Sequence, residues 1–208
     1  MISMRAMTIA SILAFACAAF AADPARGDGR IEKIRTLYKA AQELACEDDE
    51  ECGGTMHRLR MATTLAAIGL QVTDVRFYHT SWQAAPERDP YLMDHSLKLV
   101  AVNYNIAGSV TYRIEYLYDE KGEPVFYYWQ EKSGYGEKPV VSEKRYYFQN
   151  GKLIRVVMDV RGNGGAPRAS TRSSNFKAKD VADAKVMHAK ALQYRGLFRT
   201  ILQAEQWK

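Results

Sequence analysis

Histidine and cysteine, on which most metal and redox sites depend, are scarce: four histidines and three cysteines occur among 208 residues. The histidines are His57, His79, His95 and His188. No two of them have the H-x-x-x-H spacing of a helical metal site, and no G-x-S-x-G motif marks a serine nucleophile. The glycines of 161–165 lack the Lys-Ser/Thr pair of a phosphate-binding loop. The sequence therefore predicts no metal, no cofactor and no catalytic motif, although histidines and carboxylates from distant segments can still converge in the fold.

Long apolar runs are scarce as well. The apolar run over 7–19 is too short to favour a permanent membrane span. Arg5 precedes it, and an A-x-A cleavage pattern follows at 19–21. This order of charge, apolar run and small residues is typical of a secretory signal peptide. We therefore expect a signal peptide over 1–21 and a mature, periplasmic or secreted domain over 22–208 with no transmembrane span.

The cysteines fit an exported chain. Cys17 lies inside the signal segment, and lipid attachment there is the alternative, although the residues before it lack the leucine of a lipobox. Cys46 and Cys52 remain after cleavage, and an oxidising compartment favours a disulfide between them. Zinc normally needs about four ligands, and His57 alone stands near this pair. The sequence therefore predicts a structural disulfide that pins a helix end.

Net charge is modest and mixed in sign. Lys and Arg number 29 against 24 Asp and Glu, which gives +5. Removal of the signal peptide takes away Arg5 and no acid, so the mature net charge is 5 − 1 = +4. A nucleic-acid-binding domain normally concentrates far more positive charge on one face. We therefore expect no nucleic-acid partner.

Helical periodicity marks the two ends of the mature chain. Apolar residues over 30–46 recur at helical spacing and predict an amphipathic helix. A second helix is predicted from Val181 to about Glu205, with Asp180 as its N-cap. Its apolar stripe consists of Ala184, Met187, Ala191, Tyr194, Phe198 and Ile201. We expect this stripe to lie against a sheet.

Between the helices the sequence alternates as strands do. Short turns, including the Asn-Gly hairpin signal at 150–151, join successive strands. Strands are predicted over 57–65, 71–82, 96–106, 110–118, 124–132, 141–148 and 152–160. The basic, glycine-containing segment 161–175 is predicted to be a flexible loop. Sequential strands with tight turns form an antiparallel meander, so the sequence predicts one α+β domain with about six to seven strands.

Aromatic residues are concentrated in this sheet, with seven of them within 112–132. One face of strand 110–118 is apolar, whereas Arg113 and Glu115 point the other way and predict a water-facing side. Both faces of the next strand are aromatic. Such rings can pack the sheet or form a binding surface, since Tyr and Trp are common at interfaces. For a binding surface, the candidate residues are Tyr116, Tyr127, Trp129 and Tyr147, with Tyr127 and Trp129 less buried than Phe126 and Tyr128.

Local resemblances carry little functional information. The segment "YLYDEKGEPVFYY" is similar to the Tyr-Asp repeats of secreted bacterial shell and toxin proteins, and "YYFQNGKLIR" resembles MORN-type hairpin repeats. Over most of the mature length, the chain resembles uncharacterised secreted proteins of Gram-negative bacteria with Tyr-rich hairpins. These resemblances imply a sheet-based fold and an exported location, and they supply no catalytic residue.

Two functional hypotheses follow. The first is an exported, non-catalytic protein that binds a ligand or a protein partner through its aromatic sheet. The alternative is a cell-envelope hydrolase whose histidine and carboxylate groups converge only in the folded chain. A histidine hydrogen-bonded to an acid in a pocket would favour the hydrolase, and an open aromatic face would favour the binding protein.

Overall fold

The computed structural model describes residues 28–45, 55–66, 69–83, 93–106, 110–134, 140–161, 167–173 and 175–205. Within these ranges, two helices flank eight strands in chain order. The helices are α1 (Gly29–Leu44) and α2 (Ala178–Glu205). The strands are β1 (Thr55–Leu65), β2 (Gly69–Gln83), β3 (Met93–Ile106), β4 (Val110–Tyr118), β5 (Pro124–Ser133), β6 (Val140–Gln149), β7 (Lys152–Arg161) and β8 (Pro167–Ser173). The predicted α+β fold is confirmed.

All eight strands form one antiparallel sheet in the order β1-β2-β3-β4-β5-β6-β7-β8. Each strand therefore pairs with its neighbours in sequence, as the predicted meander requires. The β6–β7 turn has positive φ at both Asn150 (50°) and Gly151 (70°). Two successive left-handed residues match the right-handed twist of a hairpin, which explains the Asn-Gly sequence.

The helices cover opposite faces of the sheet. Ile31, Ile34, Tyr38 and Ala41 of α1 pack with apolar side chains on one face. The stripe of α2 packs with a second, larger set on the other face. Both faces therefore need apolar residues at the centre of the sheet, which is the physical reason for the two-sided aromatic sequence of β5.

Two boundaries differ from the sequence prediction. Residues 167–173, predicted as part of a flexible loop, form β8 and pair with β7, so the sheet has one strand more than the upper predicted number. The free edge of β7 gains backbone partners in this way. Helix α2 begins at Ala178, so Asp180 lies in its first turn rather than at the N-cap, where its charge still suits the helix dipole.

The predicted water-facing side of β4 is wrong at Glu115. This residue is 1% exposed because α1 covers it. The Tyr38 hydroxyl and the Gln42 Nε2 (2.9 Å) donate hydrogen bonds to its Oε2. Arg113 Nε donates to its Oε1 over 2.6 Å. A carboxylate with three donors can be buried, and the alternation of charged residues in β4 therefore marks a buried polar contact rather than a wet face.

Several predictions concern residues outside the described ranges. The signal segment 1–21, Cys17 and the pair Cys46 and Cys52 all lie there. Export, lipid attachment and the disulfide therefore stay predictions.

Candidate functional site

Three of the four predicted binding residues belong to the core. Tyr127 is 0% exposed, and Tyr116 and Tyr147 are each 1% exposed. Tyr127 packs against Tyr116 and Phe148, with ring centroids 5.6 and 4.7 Å away. A ring with no exposed surface cannot touch a partner in this conformation. The expectation that Tyr127, together with Trp129, is less buried than Phe126 and Tyr128 is therefore wrong at Tyr127, because Phe126 is 1% exposed.

The buried tyrosines can be buried because their hydroxyl groups form hydrogen bonds. Tyr127 Oη lies 2.7 Å from His188 Nδ1, and Tyr118 Oη donates to the carbonyl oxygen of Ala191 over 2.7 Å. Both partners belong to α2, so the helix satisfies the polar tips of the rings it covers. Burial raises the pKa of both hydroxyl groups far above the usual value, and they remain protonated donors near neutral pH.

The fourth predicted residue, Trp129, does belong to a partly exposed surface. On the same face as α2, Tyr104, Tyr112 and Trp129 lie side by side on β3, β4 and β5, and each is partly exposed. Tyr104 and Tyr112 are direct register partners with stacked rings, 4.7 Å between centroids. Trp129 follows at 6.1 Å from Tyr112. We call these three residues the aromatic row.

Register pairing extends this surface across the sheet. Tyr112 pairs with Glu131, and Trp129 pairs with Lys144, whose Nζ lies 5.6 Å from the Trp129 ring centroid. Directly paired residues share a face, so two methionines complete the surface. Tyr104 pairs with Thr73, which in turn pairs with Met61, and Lys144 pairs with Met158. They are 42% and 37% exposed.

The aromatic row is held in place from below. Tyr104 and Trp129 pack against the core that α2 covers. Burial is the first cause that raises the pKa of Tyr104 and Tyr112, and the charge of Glu131 adds to it. The row therefore presents two neutral tyrosine hydroxyl groups and an indole ring beside the Glu131 carboxylate.

A second cluster lies at another part of the α2 face. His57, His79 and His95 come from β1, β2 and β3, and Glu205 comes from the last turn of α2. Glu205 Oε2 lies 2.9 Å from His57 Nε2, and His57 Nδ1 lies 2.8 Å from His79 Nε2. His79 Nδ1 in turn lies 3.4 Å from His95 Nδ1. We call these four residues the histidine chain.

The imidazole in the middle of the histidine chain is buried. His79 is 0% exposed, and the ring of Phe198 lies 5.0 Å from it. Burial is the first cause that lowers the pKa of His79 to about 4, and the neighbouring histidines lower it further. Burial lowers the pKa of His95 as well. His79 is therefore neutral near pH 7 and can donate through only one ring nitrogen.

Sequence spacing could not have revealed either site. The three histidines are separated by 22 and 16 residues, and only the β1–β2–β3 register places them together. Within the described ranges, no group of His, Cys, Asp and Glu side chains is arranged to hold a metal ion. The contacts explain this, because His79 meets its two neighbours through different nitrogens and the rings do not converge on one point.

Comparisons with known proteins add no relative: no family model, no curated protein and no solved structure matches this chain. The resemblances to Tyr-rich secreted proteins stay predictions. Neither helix in the described part of the chain combines the length and the apolar character needed to cross a membrane.

Proposed function

We propose that this chain is an exported, non-catalytic protein that binds a protein partner through the aromatic row and its flanking methionines. The observation that carries the proposal is the partly exposed, stacked arrangement of Tyr104, Tyr112 and Trp129. The surface keeps the predicted role of the aromatic sheet and moves its centre away from Tyr116 and Tyr127, which α2 covers.

The composition of this surface supports a protein as the partner. Tyr, Trp and Met are enriched in the centres of protein interfaces, and Tyr and Trp are enriched among the residues whose truncation costs most affinity. Here two tyrosines and a tryptophan form the middle, and the exposed Met61 and Met158 lie on either side. Methionine adapts to an irregular partner surface because its side chain is flexible and polarisable.

The rigidity of the surface supports the same function. Tyr104 and Trp129 are anchored on the core, so binding would cost little side-chain entropy. Glu131 places a carboxylate at its border, where it can help to fix the orientation of a partner without dominating the affinity. The ammonium group of Lys144 is paired with Asp183 of α2 over 3.2 Å.

The test is capture of partners from an envelope extract by the mature protein and by a Tyr112→Ser variant. We expect a defined protein to be retained by the wild type and lost by the variant, with the thermal midpoint of the variant close to that of the wild type. The retained protein is then titrated against both forms by calorimetry. An affinity loss of tenfold or more, about 1.4 kcal/mol, is expected if Tyr112 lies at the centre of the interface.

The matched control compares the two tryptophans. Trp82 is 49% exposed on β2 and lies outside the aromatic row. Trp82→Ser should leave capture unchanged, whereas Trp129→Ser should reduce it. Equal capture by wild type and both row variants would contradict the proposal, and so would a loss that only follows unfolding.

The histidine chain favours a second candidate, the envelope hydrolase, because an imidazole oriented by a carboxylate can act as a general base. Against this, both ring nitrogens of His57 already have partners, Glu205 and His79. A base would have to be His95, whose register partner Ser81 is the nearest candidate nucleophile by pairing. Hydrolysis of p-nitrophenyl acetate that is lost in both His95→Gln and Ser81→Ala would establish this candidate in place of the first.

A further inference from the structure

We propose that the histidine chain is an acid-sensitive contact that holds the last turn of α2 against β1. The contact breaks when a second proton binds to the histidine chain. The inference is independent of the partner surface, because it depends on the contacts of His57, His79, His95 and Glu205 alone. It assigns a regulatory role to the polar side chains at the contact between the end of α2 and the sheet.

The histidine chain forms the polar part of the contact between the C-terminal end of α2 and β1 at the edge of the sheet. Glu205 is the last residue of α2, and its carboxylate reaches His57 across the interface. The apolar part is Phe198, which packs against Phe77, His57 and His79 with centroid distances of 5.9, 5.9 and 5.0 Å. Any change that pushes His57 or His79 away therefore acts on both parts of the same contact.

With Glu205 ionised, one proton arrangement satisfies every link. His57 donates its Nε2 proton to Glu205 and accepts at Nδ1. His79 donates its Nε2 proton to His57 and accepts at Nδ1 from His95. Three neutral imidazoles and one carboxylate thus share three protons across three contacts.

The histidine chain can bind one extra proton and keep all three of its hydrogen bonds, but it cannot bind a second without losing one. A doubly protonated His57 still donates to Glu205, and it donates to His79 if that ring reverses its tautomer and accepts at Nε2. His79 then donates from Nδ1, and His95 must also reverse its tautomer so that its Nδ1 accepts. A further proton on His79 would place two N–H groups face to face at the 2.8 Å contact, with a positive charge on each ring. The contact would then be repulsive, and the shared interface with Phe198 would open.

The surrounding charges set the direction of the response. Glu205 from α2 and Asp94 beside His95 on β3 are the acids that favour a charged imidazole. Burial and the other histidines oppose it, and for His79 they prevail. The docked state therefore disfavours protonation of His79, and the undocked state, with its exposed ring, accepts a proton readily.

The sign of the pH dependence follows from these two states. The pKa of His79 is about 4 when docked and about 6.5 when the ring is free in water. Docking is therefore fully favoured above pH 6.5 and loses stability as the pH falls from about 6.5 to about 4. By the same linkage, the undocked fraction at pH 4.5 should exceed that at pH 7 by roughly tenfold or more.

The experiment is hydrogen exchange with mass spectrometry on the full chain at pH 7, 5.5 and 4.5. Exchange of the 198–205 segment is compared with that of α1 at each pH, which removes the intrinsic pH dependence of amide exchange. We expect exchange of 198–205 to rise by roughly tenfold or more relative to α1 at pH 4.5. A constant ratio across the three pH values would overturn the proposal.

Two variants assign the response. His79→Gln keeps a polar, uncharged side chain, so the acid response of 198–205 should disappear. His188→Gln removes the histidine that contacts Tyr127, outside the chain, and should respond as the wild type does. A His79→Gln protein with an undiminished response, or a His188→Gln protein without one, would overturn the assignment.

Glu205→Gln gives a second measurement should His79→Gln fail to fold. Glu205 is half-exposed, with 53% of its side chain accessible, so the substitution leaves the core intact. Loss of the carboxylate should raise exchange of 198–205 at pH 7 relative to α1. Unchanged exchange at pH 7 would show that the chain does not fasten the helix end.

Discussion

At the scale of single residues, two buried carboxylates of the described sheet, Glu115 and Glu143, each accept hydrogen bonds from a neighbouring arginine. Glu115 shows this, with Arg113, Tyr38 and Gln42 all directed at its two oxygens. A nearby pair repeats the arrangement, since Arg145 donates to the buried Glu143 over 2.7 Å and to Asp159 over 3.1 Å. Buried ion pairs of this kind add little net stability because both charges lose their hydration, but removal of one partner leaves the other charge unpaired.

Glu115→Ala should therefore be strongly destabilising. It removes the buried carboxylate to which Arg113 and the Tyr38 hydroxyl donate, which we expect to cost about 3 kcal/mol. Urea denaturation at pH 7 measures the loss. Glu120→Ala, at an exposed turn position, is the control and should change the midpoint little. A Glu115→Ala protein as stable as the control would show that the polar contact is not formed.

At the scale of elements, the two helices divide the sheet between them. Helix α1 covers one face and α2 the other, and α2 leaves the aromatic row only partly covered. A helix contacts a sheet through one apolar stripe, so α2 cannot cover long strands over their whole length. The aromatic row is therefore the part of the apolar face that α2 covers only partly.

Phe198→Ala tests whether α2 closes its core as described. The ring is 3% exposed and contacts Phe77 and His79, so its removal should cost roughly 3–5 kcal/mol. Val186→Ala is the control on the same helix, because Val186 is 56% exposed. Thermal or urea midpoints equal for the two variants would show that α2 does not seal the sheet.

At the scale of the whole molecule, the proposed export decides the chemistry available to the chain. Mass spectrometry of protein recovered from the periplasm or medium should show a mature start at or next to Ala22. The basis is the charge, apolar run and A-x-A pattern over 1–21. An intact Met1, or a lipid on Cys17, would contradict the assignment.

Export also predicts the state of the remaining thiols. Cys46 and Cys52 should form a disulfide, worth about 2–3 kcal/mol by loop-closure entropy. Alkylation without reduction should label neither, and reduction before alkylation should label both. Reaction of both thiols in the unreduced native protein would show that the pair is free.

Local sequence determined much of this fold. Alternation in β4, the Asn-Gly turn and the helical periodicity of α1 and α2 predicted the meander and both helices, because each depends on neighbours within a few residues. Segment 167–173 was predicted as a loop because its composition is polar and basic. It becomes a strand through pairing with β7, which is a contact that local propensity does not contain.

The candidate sites were decided by the tertiary structure. The sequence showed that both faces of β5 are aromatic, and it could not show which ring a helix would cover. Tyr127 lies beneath α2, whereas Trp129, two residues along the same face, is partly exposed. The histidine chain is likewise absent from any spacing rule. Strand register and the end point of α2 place His57, His79, His95 and Glu205 within hydrogen-bonding distance, because these are contacts between segments far apart in the chain.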